Sequence, residues 1–202
     1  MLKEIFTDLV QKYTDDSEII LQLWNEIEKA YSTQKRYYHN LSHLENLFLQ
    51  LSEVKNLIED WDTILFSLFF HDVIYDAKRS DNEEKSAEFA QKRLQILQIS
   101  TPMIEKCCEQ ILATKGHTIS QEADTNYFTD ADLSILGQDE YLNYAQNVRK
   151  EYAIFPDFLY NPGRKKVLKH FLEMEYIFKT AHFYDKYEQK AKLNLQNEIE
   201  ML

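Results

Sequence analysis

Apolar residues recur at spacings of three and four along almost the whole chain, in blocks separated by short polar stretches. That period lays an apolar stripe along one side of an α-helix. It predicts helices over LKEIFTDLVQKY (2–13), SEIILQLWNEIEKAY (17–31) and HNLSHLENLFLQLSEV (39–54), the last with Leu41, Leu44, Leu47, Phe48 and Leu51 on one side. DWDTILFSLFFHDVIY (60–75) breaks the pattern, because between Ile64 and Phe70 it is apolar nearly all round, as expected of a helix buried in the centre of a core. Further helices are predicted over 83–97, 101–115, 127–137, 140–153, 162–178 and 180–202. Ser17, Asn82, Thr101 (followed by Pro102) and Asp139 read as their N-terminal caps, and Gly137 as a helix end. Only NYFT (126–129) has any extended character.

Composition agrees with an all-α chain. Three Gly and three Pro in 202 residues leave few turns for a sandwich or barrel. A hydrophobic share of 44%, with 13% aromatic, excludes a disordered chain. With no repeat or linker, residues 1–202 read as one domain. The net charge of -11 argues against bulk nucleic acid and anionic membrane as partners, although a bound ion reverses the field locally. Adjacent Cys107 and Cys108 suit neither a disulfide framework nor a zinc ribbon, and read as buried apolar residues. The first helix is amphipathic rather than a signal peptide, and the run from Ile64 to Phe70 is too short to cross a bilayer. A cytoplasmic protein is expected.

The candidate chemistry lies where the apolar run ends, at His71 and Asp72. The two are about 100° apart around a helix axis, yet both reach one ion placed off the helix end. Imidazole nitrogen beside carboxylate oxygen suits a divalent ion such as Mn, Fe, Co, Ni, Zn or Mg; the alternative is a carboxylate ion-paired near a helix end. His39 and His43 are four residues apart, on one helical face. Asp130 and Asp132 point in different directions on a helix, so only one is expected to reach an ion directly, the other capping a helix or supporting the site. His170 and His182 read as structural or solvated.

The order His43, His71-Asp72, Asp132 resembles the HD-domain superfamily of metal-dependent phosphohydrolases, and YHNLSH (38–43) is similar to the YHNxxH of cyclic-nucleotide phosphodiesterases. The resemblance to the core spans about 31–151, and the patterns HD…DNExxSA, DADLxILG and VRxEY are similar to those of short predicted HD phosphohydrolases. It implies an HD-domain-like helical bundle with additional N- and C-terminal helices. It also implies one ion held by His43, His71, Asp72 and Asp132, with Asp132 preferred over Asp130 because ADL surrounds the last ligand in several such families, and His39 protonating the leaving oxygen.

Tyr75 stands where the phosphodiesterases have a second histidine. With only His117 between the HD pair and Asp132, one ion is expected rather than two, a second remaining open through Glu83 or His117. Glu83 either orients the water or serves as a first-turn acid. Lys115 and His117 either bind the scissile phosphate or belong to a solvated loop. Arg149 and Arg164 are further anion candidates or ordinary surface charges. The implied substrate is a small phosphorylated molecule, a nucleotide among them, with Tyr152, Phe155, Phe158 and Tyr160 as stacking surfaces. The competing readings are a non-catalytic nucleotide- or protein-binding domain and an iron oxygenase on the same scaffold; a homo-oligomer is compatible with each.

Overall fold

A computed structural model describes all of residues 1–202 and contains ten α-helices with no strand. They are α1 (Leu2–Val10), α2 (Ser17–Tyr31), α3 (Leu41–Glu53), α4 (Trp61–Phe70), α5 (Asn82–Ile96), α6 (Thr101–Ala113), α7 (Ala123–Leu133), α8 (Tyr141–Glu151), α9 (Asp157–Glu173) and α10 (Ala181–Met201). Short 3-10 turns cover Lys55–Leu57 and Ser134–Gly137.

The all-round apolar α4 is the central helix. Every residue from Thr63 to Phe70 is buried, and α1, α3, α5, α6 and α7 pack around it. Phe6 of α1 meets Phe69 edge to face with ring centroids 5.0 Å apart. One apolar cluster runs from Leu2 to Leu195, so the terminal helices share the core of the middle ones. Ser67, a polar residue inside α4, donates to Gln110 Oε1 (2.6 Å) and to Thr63 O (3.0 Å), which removes the cost of burying its hydroxyl.

Local sequence sets the helix starts, at some points one residue away from expectation. Asp16, not Ser17, caps α2, its carboxylate accepting from Glu18 N and Ile19 N. Asn40 caps α3 and Asp60 caps α4 in the same way. Asn82 and Thr101 are the first helical residues, and the caps are Asp81 and Ser100. Glu140 precedes α8, while Asp139 pairs with Lys190 instead. Residues 126–129 are helical, within α7. The helix expected from Pro162 begins five residues earlier, at Asp157, because Leu159 N and Tyr160 N both donate to Pro156 O and start the turn upstream. Gly137 ends a 3-10 turn that lies against α10: a Cβ there would stand 2.6 Å from Tyr187 Cβ. No helix is long and apolar enough to cross a membrane.

Candidate metal centre

Three elements deliver polar side chains to one point. Asn40 Oδ1 accepts from Ser42 N (2.9 Å) and His43 N (3.4 Å), so the cap that starts α3 also fixes His43 in its first turn. His71 is the residue that closes α4, and Asp72 follows it. A helix C-terminus carries the negative end of the peptide dipoles, a favourable place for a cation. Asp132 comes from the last turn of α7.

The turn after α4 is clamped from two sides. The Arg36 guanidinium donates to Asp72 O (2.6 Å) and Val73 O (3.0 Å), and Asp72 N donates to the Tyr31 hydroxyl (3.1 Å). From α5, Ser86 Oγ accepts from Ile74 N and donates to Ile74 O. A buried helix on one side and these bonds on the other leave the His71-Asp72 pair little freedom.

The ligand atoms of His43, His71 and Asp132 all lie within 4.8 Å of one another, a group able to hold a metal ion. Their spacing is informative. The two Nε2 atoms of His43 and His71 are 3.1 Å apart, His43 Nε2 is 3.4 Å from Asp132 Oδ1, and His71 Nε2 is 3.3 Å from Asp72 Oδ2. The pairs His43–Asp72 and His71–Asp132 stand at 3.8 Å. Donors bound about 2.0–2.2 Å from one ion lie about 2.8–3.6 Å from each other, from octahedral to tetrahedral angles. Three of these separations fall inside that range and two just outside it.

The tautomer fits as well. His71 Nδ1 lies 2.9 Å from Leu68 O and donates to it, which leaves the Nε2 lone pair of the neutral ring directed at the cluster. His43 Nδ1 is buried without a hydrogen-bond partner. Burial pulls the His71 pKa down, but the carboxylates of Asp72 and Asp132 outweigh it and raise it to about 9. Burial pushes Asp72 and Asp132 up, and the imidazoles beside them win, holding both carboxyls below the usual range.

Asp130 faces away from the cluster. Fully buried, its carboxylate accepts from Lys179 N, Thr180 N and Thr180 Oγ1 at 2.7–3.0 Å and pairs with Lys179 Nζ at 3.2 Å, closing the turn before α10. Of the two aspartates in the DAD run, Asp132 reaches the cluster and Asp130 holds the turn that precedes α10.

The cluster forms one end of a cavity of about 670 Å³ whose lining includes His39, Asp72, Glu83, Lys115, His117, Asp132 and Arg164. His39 is held by a residue that sequence reasoning missed, Glu151 at the end of α8. One carboxylate oxygen accepts from Tyr38 N (2.7 Å) and His39 N (3.0 Å), while the other lies 2.6 Å from His39 Nδ1 and accepts from the Tyr75 hydroxyl (2.9 Å). Burial alone would lower the His39 pKa; the Glu151 bond and the nearby Asp72 carboxylate reverse that and raise it. The Tyr75 ring stacks on His39 at 4.1 Å, in the position where a second histidine is absent.

His117 is not a free phosphate ligand: its Nε2 lies 3.0 Å from Asp132 Oδ2, so it steadies the carboxylate whose other oxygen faces His43. Its backbone has φ 48°, an uncommon conformation for a residue with a side chain. Lys115 Nζ bonds to Ser80 O (2.7 Å) and to the Glu84 carboxylate, with Glu83 at 4.0 Å. Arg149 and Arg164 depart from the expectation of anion ligands. The Arg149 guanidinium is outside the cavity lining and is bound by Asp157, Tyr152 O and Phe155 O, pinning the turn between α8 and α9. Arg164 lines the cavity but is held by both oxygens of the buried Glu198 (2.7 and 3.0 Å). His170 and His182 lie away from the centre, the latter paired with Glu53.

No protein-family model, no curated protein and no solved structure matches the chain.

Proposed function

We propose that this protein is a metal-dependent phosphohydrolase of the HD type, cleaving a phosphate ester in the cavity beside His43, His71, Asp72 and Asp132. The observation that carries the reading is the convergence of His43, His71 and Asp132, from α3, the end of α4 and α7, within 4.8 Å of one another, with Asp72 Oδ2 3.3 Å from His71 Nε2 and with Asp72 and Asp132 lining a cavity. A divalent ion held there supplies a water of lowered pKa and positive charge for the phosphoryl oxygens.

The chain's own residues complete the chemistry. Glu151 accepts from His39 Nδ1 and raises the pKa of the ring, which favours its role as the acid that delivers the Nε2 proton to the leaving oxygen as the ester P–O bond breaks. Water contributes the new oxygen on phosphorus, so the products are an alcohol and inorganic phosphate. Glu151 is a positioning residue, bonded to imidazole, two backbone amides and Tyr75 at once. His117 orients Asp132, while Lys115, which also lines the cavity, is already held by Ser80 O and the Glu84 carboxylate. Glu83 lines the same cavity and is the carboxylate we assign to steering water.

The test is a phosphatase screen under Mn, Co, Ni and Mg with wild type, His39→Ala and Asp132→Ala. Turnover in wild type that falls at least a hundredfold in both variants, with metal retained by His39→Ala, supports the reading; unchanged turnover in Asp132→Ala contradicts it.

A further inference from the structure

The cavity has two chemically distinct walls. One, from the segment between α4 and α5 and the end of α6, carries Arg79, Ser80, Glu83 and Lys115 next to the metal-side residues. The other, from α8 and α9, carries Val148, Phe155, Leu159, Val167, Leu168 and Phe171. The same wall also carries Tyr144, Tyr152, Tyr160 and Arg164. Arg164 is bound by both Glu198 oxygens and lies near the Tyr144 hydroxyl, so its charge is already neutralised.

The wall meets solvent with large apolar side chains, Leu159 being 56% exposed and Val167 45% exposed. Singly exposed apolar residues are ordinary; a cluster continuous with a cavity that begins at a candidate metal centre marks where a ligand's apolar part lies.

We infer that the substrate is a phosphate monoester of an apolar alcohol, alkyl or aryl, with its phosphate at the His71-Asp72 edge and its body on the α8–α9 wall. The inference rests on the phosphohydrolase reading for the phosphate end; the wall carries the rest.

The test uses non-hydrolysable n-alkylphosphonates from ethyl to octyl, titrated calorimetrically into the full chain loaded with Mn. Affinity is expected to tighten about fourfold for each added methylene. Leu159→Asp and Val167→Asp, substitutions at exposed positions, should remove most of that gain for octylphosphonate and leave ethylphosphonate unchanged. Phe158→Asp, outside the cavity lining, should do neither. Affinity independent of chain length, or variants that weaken ethyl- and octylphosphonate alike, would overturn the inference. A chain-length gain in a protein that hydrolyses no phosphate ester would retain the apolar wall and reject the phosphohydrolase reading. Hydrolysis of nucleotides without a chain-length gain would do the reverse.

Discussion

In the metal-free protein His71 keeps its proton to about pH 9, because it sits buried between Asp72 and Asp132. An ion at this centre needs the His71 Nε2 lone pair, so binding must expel that proton. At pH 7, two units below the pKa, about one molecule in a hundred has the neutral ring, which weakens metal binding about a hundredfold, or ~2.7 kcal/mol. Affinity should therefore rise about tenfold per pH unit from pH 6.5 towards 9 and then level off, with close to one proton released per ion at pH 7. Calorimetric titration of Mn in buffers of different ionisation enthalpy reads both quantities. His71→Asn, which removes the proton with the ligand, should bind far more weakly and with a flatter pH dependence. Wild-type affinity that does not change between pH 6.5 and 8, with no proton release, would refute the reasoning.

The same group sets a stability trend. Its folded pKa lies above the unfolded value near 6.5, so its contribution is full below pH 6.5 and is lost as pH rises to about 9; the metal-free protein should lose about 3 kcal/mol over that window by urea melts, and the metal-loaded protein much less. Asp130→Ala leaves Lys179 and the start of α10 without their acceptor and should cost about 3–5 kcal/mol in the same assay, while metal stoichiometry in the folded fraction stays at wild-type level; loss of metal without loss of stability would contradict the division between Asp130 and Asp132. Glu151→Gln removes the charge that raises the His39 pKa, so the alkaline limb of the kcat profile should move to lower pH with metal content unchanged, and an unmoved limb would exclude Glu151 as a positioning residue. Gly137→Ala should destabilise by about 2–3 kcal/mol, since its Cβ meets Tyr187 Cβ at 2.6 Å and Tyr187 O at 2.8 Å; a neutral effect in thermal melts would show that α10 yields there.

Helix positions were legible because a periodic apolar stripe needs only local sequence, and α4 was recognisable by its lack of one. His43, His71 and Asp132, which the structure brings within 4.8 Å of one another, stood out in the sequence through the H…HD…D order that resembles HD-domain proteins, with ADL singling out Asp132. Glu151 was not, since its partner His39 is 112 residues away and a glutamate in the last turn of a helix looks like any solvated charge. Arg36 was hidden for a similar reason: its partners are backbone carbonyls, which leave no mark in sequence. Arg149 and Arg164 read as anion ligands because sequence shows a charge but not its neutralisation by Asp157 and Glu198. His117 fell between the two cases, its place near the site expected and its bond to Asp132 visible only in three dimensions.

The central claim is that His43, His71, Asp72 and Asp132 hold one ion on which hydrolysis depends. Elemental mass spectrometry of chains purified without chelator, wild type against His71→Ala, tests it most directly when paired with phosphatase activity on the same samples. The account predicts about one transition ion per wild-type chain, lost together with activity in the variant. Equal metal in both proteins, or none that added Mn, Co, Ni or Mg restores, would contradict it.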